Sequence, residues 1–228
     1  GETFLGTPGH WQRVAHLRPF HLPGGDRAGR APWRSAAAVC WELGRDCPVG
    51  VPDPIVRTAW ERRVNSPQSS AAGRLFDAAS AIILGLGETS FEGQGPMWLE
   101  AIAREPAAFP RLALRSAEEG RLELDWAPLV DWLLQVPRTT VADRADRAGA
   151  VHSSLADGIV QVADRLRALS GSSVVGLTGG VFQNRRLTEA AVAGLSDRGF
   201  DVLLPVQLPC NDGGLSYGQV ADFIGRKV

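Results

Sequence analysis

Four stretches of the chain set glycine beside polar side chains: "SSAAGRLFDA" (69–78), "FEGQGPMWLE" (91–100), "LTGGVFQNRRL" (177–187) and "LPCNDGGLSYGQ" (208–219). In the first, Gly73 opens a helix and Asp77 stands one turn on. In the second, a turn leaves Glu92 and Gln94 exposed ahead of a helix. The third puts Gly179 and Gly180 where a strand hands over to a helix, with Asn184 four residues after the second glycine. In the fourth, Asn211 and Asp212 precede Gly213 and Gly214 at the start of the last helix. Bare backbone at the mouth of a helix permits close approach by a ligand, often an anion or a nucleotide. The same residues also suit a tight turn with nothing bound. Asp77 could merely complement a helix dipole, and Asn211 or Asp212 could be an N-cap. Recurrence favours the ligand. Both "TGGVFQN" and "CNDGG" follow predicted strands, and ligands of open α/β sheets bind at the carboxyl ends of strands, so both should face one crevice. An aspartate beside that crevice can hold a hard cation that in turn holds phosphates.

The remaining chemistry-bearing residues say less. His10, His16 and His21 fall in the N-terminal strand region and His152 in a long helix, none with the i, i+4 pairing of a helical metal site; His152 reads as a buried or interface histidine. Cys40, Cys47 and Cys210 are odd in number and irregular in spacing, which argues against a disulfide framework and fits a reducing cytoplasm. There is no GxSxG elbow, HExxH, CxxC pair, Walker lysine loop or strand-borne GxGxxG. Transfer chemistry would then rest on orientation and on cation-assisted charge stabilisation. Net charge is −1 over 228 residues, with no basic balance to suggest nucleic acid. No apolar run approaches the ~20 residues that cross a bilayer, and no secretory leader is expected.

These residues must be carried by a particular order of elements. Residues 11–22 alternate well enough for an extended strand, and the N-terminal 22 residues supply one or two strands at most. Helices are expected over 33–44, stopped by Gly44, over 54–63, and over 71–84, where Leu75, Phe76, Ala79, Ile82 and Ile83 mark an amphipathic stripe ended by Gly85 and Gly87. Another follows over about 94–105. "RLALRSAEEGRLELDW" (111–126) reads as a hairpin about a Glu-Glu-Gly turn. Helices over 127–135 and roughly 139–169 are separated by Pro137. The last sixty residues switch to strand (173–178), helix (184–197), strand (201–205) and helix (213–225), which implies a parallel or mixed sheet. The two strands should be adjacent and parallel. The fold class is α/β, with a helical middle region and an α/β C-terminal lobe. The division expected is 1–137, a first lobe with helical insertion and hairpin, and 138–228, an α/β lobe with the nucleotide- and metal-facing turns.

In order, "LRPFHLPGGDRAGRAPWR", "GRLFDAASAIILG", "FEGQGPMWLE", "LTGGVFQNRRL" and "LPCNDGGLSYGQ" resemble the C-terminal domain of the HypF carbamoyltransferases, which serve [NiFe]-hydrogenase maturation. The resemblance runs over nearly the whole chain. The domain is also similar to the threonylcarbamoyl-adenosine synthases, within the superfamily of actin, heat-shock chaperones and sugar kinases.

The resemblance implies two lobes sharing an ATP cleft. It implies carbamoyl transfer, by way of carbamoyl-adenylate made from carbamoyl phosphate and ATP, to the C-terminal cysteine of a HypE-type acceptor protein in cyanide ligand synthesis. By position, Gly73 and Asp77 correspond to ribose- and adenine-side contacts. Gly179 and Gly180 correspond to the glycine turn, and Asn184 to the nucleotide amide. Asp212 corresponds to a ligand of a divalent metal, and the catalytic residues stay unassigned. The family's paired-histidine metal motif and glycine-rich phosphate segment are expected upstream of Gly1, so the chain should hold half of an active site in a cytoplasmic enzyme that needs neither nucleic acid nor membrane. Two other readings stay open: an O-carbamoyltransferase acting on a small-molecule hydroxyl, and a non-catalytic nucleotide-binding or docking module.

Overall fold

A computed structural model describes residues 1–51, 53–135 and 140–226. The expected separator Pro137 and the boundary between 137 and 138 lie outside the described residues. The chain opens with three strands, β1 (Glu2–Thr7), β2 (His10–Leu17) and β3 (Phe20–His21). The sequence reading allowed two at most. β1 escaped it because its two apolar residues, Phe4 and Leu5, are adjacent and so mark no single face of a strand. The turn that makes the hairpin is legible in hindsight: Pro8 fixes one φ and Gly9, at φ 83, takes the left-handed one. Thr7 and His10 close the pair.

Helices α1 (Pro32–Glu42) and α2 (Ile55–Glu61) follow, then β4 (Gln68–Ser69), which pairs with β3. Next come α3 (Ala72–Leu84) and α4 (Gln94–Ile102). The hairpin appears as β5 (Ala113–Ser116) and β6 (Leu122–Asp125), antiparallel, with β6 also running parallel to β2. One sheet therefore has the order β1-β2-β6-β5. Helix α5 (Ala127–Gln135) precedes α6 (Val141–Ser170), whose start is a capping box between Thr140 and Asp143 and whose end is Gly171 at φ 74.

α3 departs from the amphipathic stripe expected of it. Every residue from Leu75 to Ile83 is buried, Asp77 and Ser80 included, so the helix is central and has no solvent face in that stretch. It packs on α1, α4 and α6, and its run Ala78-Ala79-Ser80-Ala81 is small enough for neighbouring helices to come close. Gly95 of α4 uses that room: a Cβ there would lie 2.3 Å from Ser80 Oγ. The glycine in "FEGQG" is thus a packing residue, and Gln94, half-buried rather than exposed, turns its Oε1 to the Ser90 N–H at 2.8 Å.

The last quarter is β7 (Val174–Gly176), α7 (Arg185–Ser196), β8 (Asp201–Leu203) and α8 (Leu215–Gly225). β7 and β8 pair in parallel, Val174 with Asp201 and Gly176 with Leu203, as expected of strands joined through a crossover helix. α7 lies on α6 and β8. A single hydrophobic core runs from Ala15 to Phe200; β1, β4 and α8 add nothing to it, and α8 buries no side chain and exposes Leu215, Tyr217 and Val220. No helix among the described residues is long and apolar enough to cross a membrane.

Candidate functional site

A cleft of about 2030 Å³ runs between the N-terminal hairpin, the N-terminus of α3 and the β7–β8 region. It has two parts of different chemistry. Its floor is apolar, with Leu17, Leu124, Leu155, Ile159 and Val162. Its mouth is glycine-rich and polar, and Gly73, Gly179, Gly180, Asn184 and Asp212 all line it. Five of the six expected site residues are therefore brought together from positions spread over 140 residues of sequence. The sixth, Asp77, is not on the surface of the cleft.

The two turns after β7 and β8 do meet, as their strand–glycine–helix pattern requires. The Gly179 N–H donates to the carbonyl of Cys210 at 2.6 Å, and Thr178 Oγ1 to the same oxygen at 3.4 Å. Gly179 sits at φ 113, a conformation that side chains rarely adopt. Gly180 then opens a short 3₁₀ turn that brings Asn184 to the start of α7. Asn184 caps that helix, its Oδ1 accepting the Leu187 N–H at 2.9 Å, while its Nδ2 lies 2.9 Å from Nε2 of His152. Capping does not exclude a ligand, since the amide carries two N–H groups and His152 takes one.

At the other turn the cap is Asn211, whose Oδ1 accepts the Gly213 N–H at 3.0 Å. Asp212, the alternative cap, is exposed, and its carboxylate has no hydrogen bond or ion pair among the described residues. It is free to bind a cation. The described residues contain no group of three or more His, Cys, Asp or Glu side chains able to hold one, so Asp212 fits as one ligand and the chain does not by itself make a metal centre.

Asp77 lies behind the wall of the cleft, 1% exposed. Its Oδ2 is 3.1 Å from Arg74 Nη2 yet has no hydrogen-bond donor, so the contact is ionic only. The same Arg74 nitrogen reaches Glu92 Oε1 at 2.9 Å, and Arg74 and Glu92 both line the cleft. Burial pushes the Asp77 carboxyl up to about 7; Arg74 opposes this and Glu92 adds to it. Sequence reasoning missed both the Arg74 bridge and the His152–Asn184 contact. The i, i+3 spacing of Arg74 and Asp77 could have signalled the first. Nothing local signals the second, because 32 residues separate the partners.

Residues 1–219 match the family described as carbamoyltransferase, Kae1-like domain, second subdomain. The carbamoyltransferase HypF of Rhodobacter capsulatus is 38% identical over 227 residues, covering 96% of this chain and 29% of that protein. A carbamoyltransferase HypF homolog of Cupriavidus necator is 35% identical over 232 residues, covering 96% of this chain and 59% of that one. Among solved structures, full-length HypF in the phosphate- and nucleotide-bound form superposes with a TM-score of 0.83 at 26% identity, over 99% of this chain and 30% of that chain. The chain thus spans under a third of two of these relatives and under two thirds of the other. On the match over residues 1–219, the chain belongs to the family of the Kae1-like domain of carbamoyltransferases, second subdomain.

Proposed function

We propose that the chain is part of a carbamoyltransferase in which the polar mouth of the cleft binds ATP and the carbamoyl-adenylate formed from it. The observation that carries this is the convergence of Gly73, Gly179, Gly180, Asn184 and Asp212 on one cleft. The glycines admit the nucleotide, and the second N–H of the Asn184 amide hydrogen-bonds it. Asp77, behind the Arg74–Glu92 bridge, acts on the ribose and adenine side through those two residues. A relative solved with phosphate and nucleotide bound supports the ligand class.

The reaction proposed is acyl transfer: an acceptor thiol attacks the carbamoyl carbon, a C–S bond forms, the C–O bond to AMP breaks, and the thiol proton leaves to solvent or a base. The acceptor is the C-terminal cysteine of a HypE-type protein, and the product feeds cyanide ligand synthesis for [NiFe]-hydrogenase in the cytoplasm. Asp212 contributes one oxygen ligand to a divalent cation, which would neutralise phosphate charge when bound. Its other ligands come from outside the described residues, from the opposite lobe of an actin-like, heat-shock-chaperone-like domain that completes the cleft. Nucleotide titration of the complete gene product tests the reading: ATP should bind with metal present, and Asn184→Ala and Asp212→Asn should each weaken it. Undiminished binding in both variants would remove the nucleotide from this cleft.

A further inference from the structure

Asn184 is held at both ends of its amide. Oδ1 accepts the Leu187 N–H at 2.9 Å, and Nδ2 stands 2.9 Å from His152 Nε2. The histidine determines the sense of that second contact. Its Nδ1 lies 2.7 Å from the carbonyl oxygen of Ala148, which can only accept, so Nδ1 carries the ring proton and Nε2 presents a lone pair. A lone pair at 2.9 Å requires a donor opposite, and only the Asn184 NH2 supplies one. Flipping the amide would set its oxygen against the lone pair and its NH2 against the Leu187 N–H.

His152 is 1% exposed in the middle of α6. Its ring packs on Phe76 of α3, centroids 5.1 Å apart, and Phe76 lines the cleft. Two charged groups act on it, Arg186 of α7 and Glu100 of α4; Glu100 Oε1 accepts the backbone N–H of Arg186 at 3.1 Å, while the Arg186 guanidinium reaches the Ala103 carbonyl at 3.1 Å and Glu105 at 3.5 Å. Burial, the largest influence, favours the neutral ring. An ordinary core histidine would satisfy its second nitrogen on any nearby backbone group. This one instead pairs with the Asn184 amide, at the end of the glycine-rich turn after β7.

We propose that His152 is a positioning residue: its Nε2 fixes the Asn184 amide so that one N–H of Nδ2 is taken and the other is left for an acceptor on a nucleotide in the cleft. This rests on the nucleotide reading above, with Asn184 touching the ligand and His152 acting through it. The role deepens that reading because it names a buried residue, 32 positions away from Asn184, on which the contact depends.

His152→Phe keeps a ring to pack on Phe76 and removes the acceptor; His152→Gln offers Oε1 in its place. In the complete gene product, calorimetry with a non-hydrolysable ATP analogue should show binding weakened about tenfold by His152→Phe, the scale of one hydrogen bond. Asn184→Ala should weaken it at least as much, the double variant should be no weaker than Asn184→Ala alone, and His152→Gln should recover part of the loss. Additive losses in the double variant, or wild-type affinity in His152→Phe beside weakened Asn184→Ala, would overturn the proposal. Hydrogen exchange of the Asn184 side-chain amide, followed by NMR, separates this from the nucleotide reading. If neither single variant changes affinity, the nucleotide reading fails, and the exchange decides alone: faster exchange in His152→Phe upholds the positioning role, unchanged exchange refutes it. Should His152→Phe not fold, the same exchange comparison on His152→Leu, which also lacks the acceptor, decides: faster exchange upholds the role and unchanged exchange refutes it.

Discussion

Asp77→Asn should make the protein more stable at neutral and alkaline pH and leave it unchanged in acid. The carboxyl is 1% exposed, held by an ionic contact to Arg74 without a hydrogen bond, and burial pushes it up to about 7 from an ordinary 3.8. A carboxyl whose folded pKa is raised contributes stability that is fully present below the unfolded value and is lost as pH rises through the folded one. The window for Asp77 is therefore pH 3.8 to about 7. The gap of some three units, at roughly 1.4 kcal/mol each, corresponds to a loss of about 4 kcal/mol across that window, an upper figure because water and side chains relax around a buried charge. Asparagine has the same shape and no charge, and Arg74 keeps Glu92 at 2.9 Å. The assay is urea unfolding of both proteins at pH 4.5, 6 and 8. The stability difference should grow by 2–4 kcal/mol with pH. A difference that does not change with pH would show that Asp77 is charged and compensated in the folded state, and the account of the Arg74 bridge would fall with it.

Other substitutions read other parts of the site. Asp212→Asn should abolish most carbamoyl transfer in the complete enzyme while the melting temperature stays near wild type, because Asn211 and not Asp212 caps the turn; full activity would remove Asp212 as a ligand. Asn184→Ala should destabilise the fold by about 1 kcal/mol through the lost cap, and weaken ATP binding by about 1–3 kcal/mol, measured by denaturation and calorimetry respectively. Gly95→Ala should cost about 1–3 kcal/mol in urea unfolding, since its Cβ would lie 2.3 Å from Ser80 Oγ and 2.9 Å from its Cβ, and Ser80→Gly should restore part of the loss. Below about pH 6.5 the protein should lose stability as unfolded histidine gains protons that buried His152, its pKa lowered first by desolvation, resists; His152→Phe should flatten that part of the profile.

How much of this could be read from the chain depended on whether the signal was local. Gly44 and Gly85 stop helices within two residues of where they were expected to, and "EEG" turns β5 into β6, because turn chemistry acts over a few positions. The parallel pairing of β7 and β8 was legible because strand–helix–strand order leaves few ways to return. Burial of Asp77 was not, since the helix carrying it is enclosed by α1, α4 and α6, and enclosure is a property of the assembled layers. The meeting of the Gly179 and Asp212 turns was expected from strand order, that of Gly73 with them only from resemblance, while the pairing of His152 with Asn184 required both helices to be in place.

β1 is an edge strand, and β7–β8 is a sheet of only two strands; together they line one slot with an apolar floor. Exposed Val174 and Leu203 lie on that small sheet, and α8, which meets the β1–β2 turn through Asp222, is apolar with nothing buried. Unpaired backbone next to apolar surface is a template for further strands. With a net charge of −1 there is also little repulsion to keep copies apart. Handled alone, the chain should therefore behave as an adhesive colloid: it should associate edge to edge as concentration rises, and dilution or an added extended peptide that fills the slot should disperse it where added salt does not.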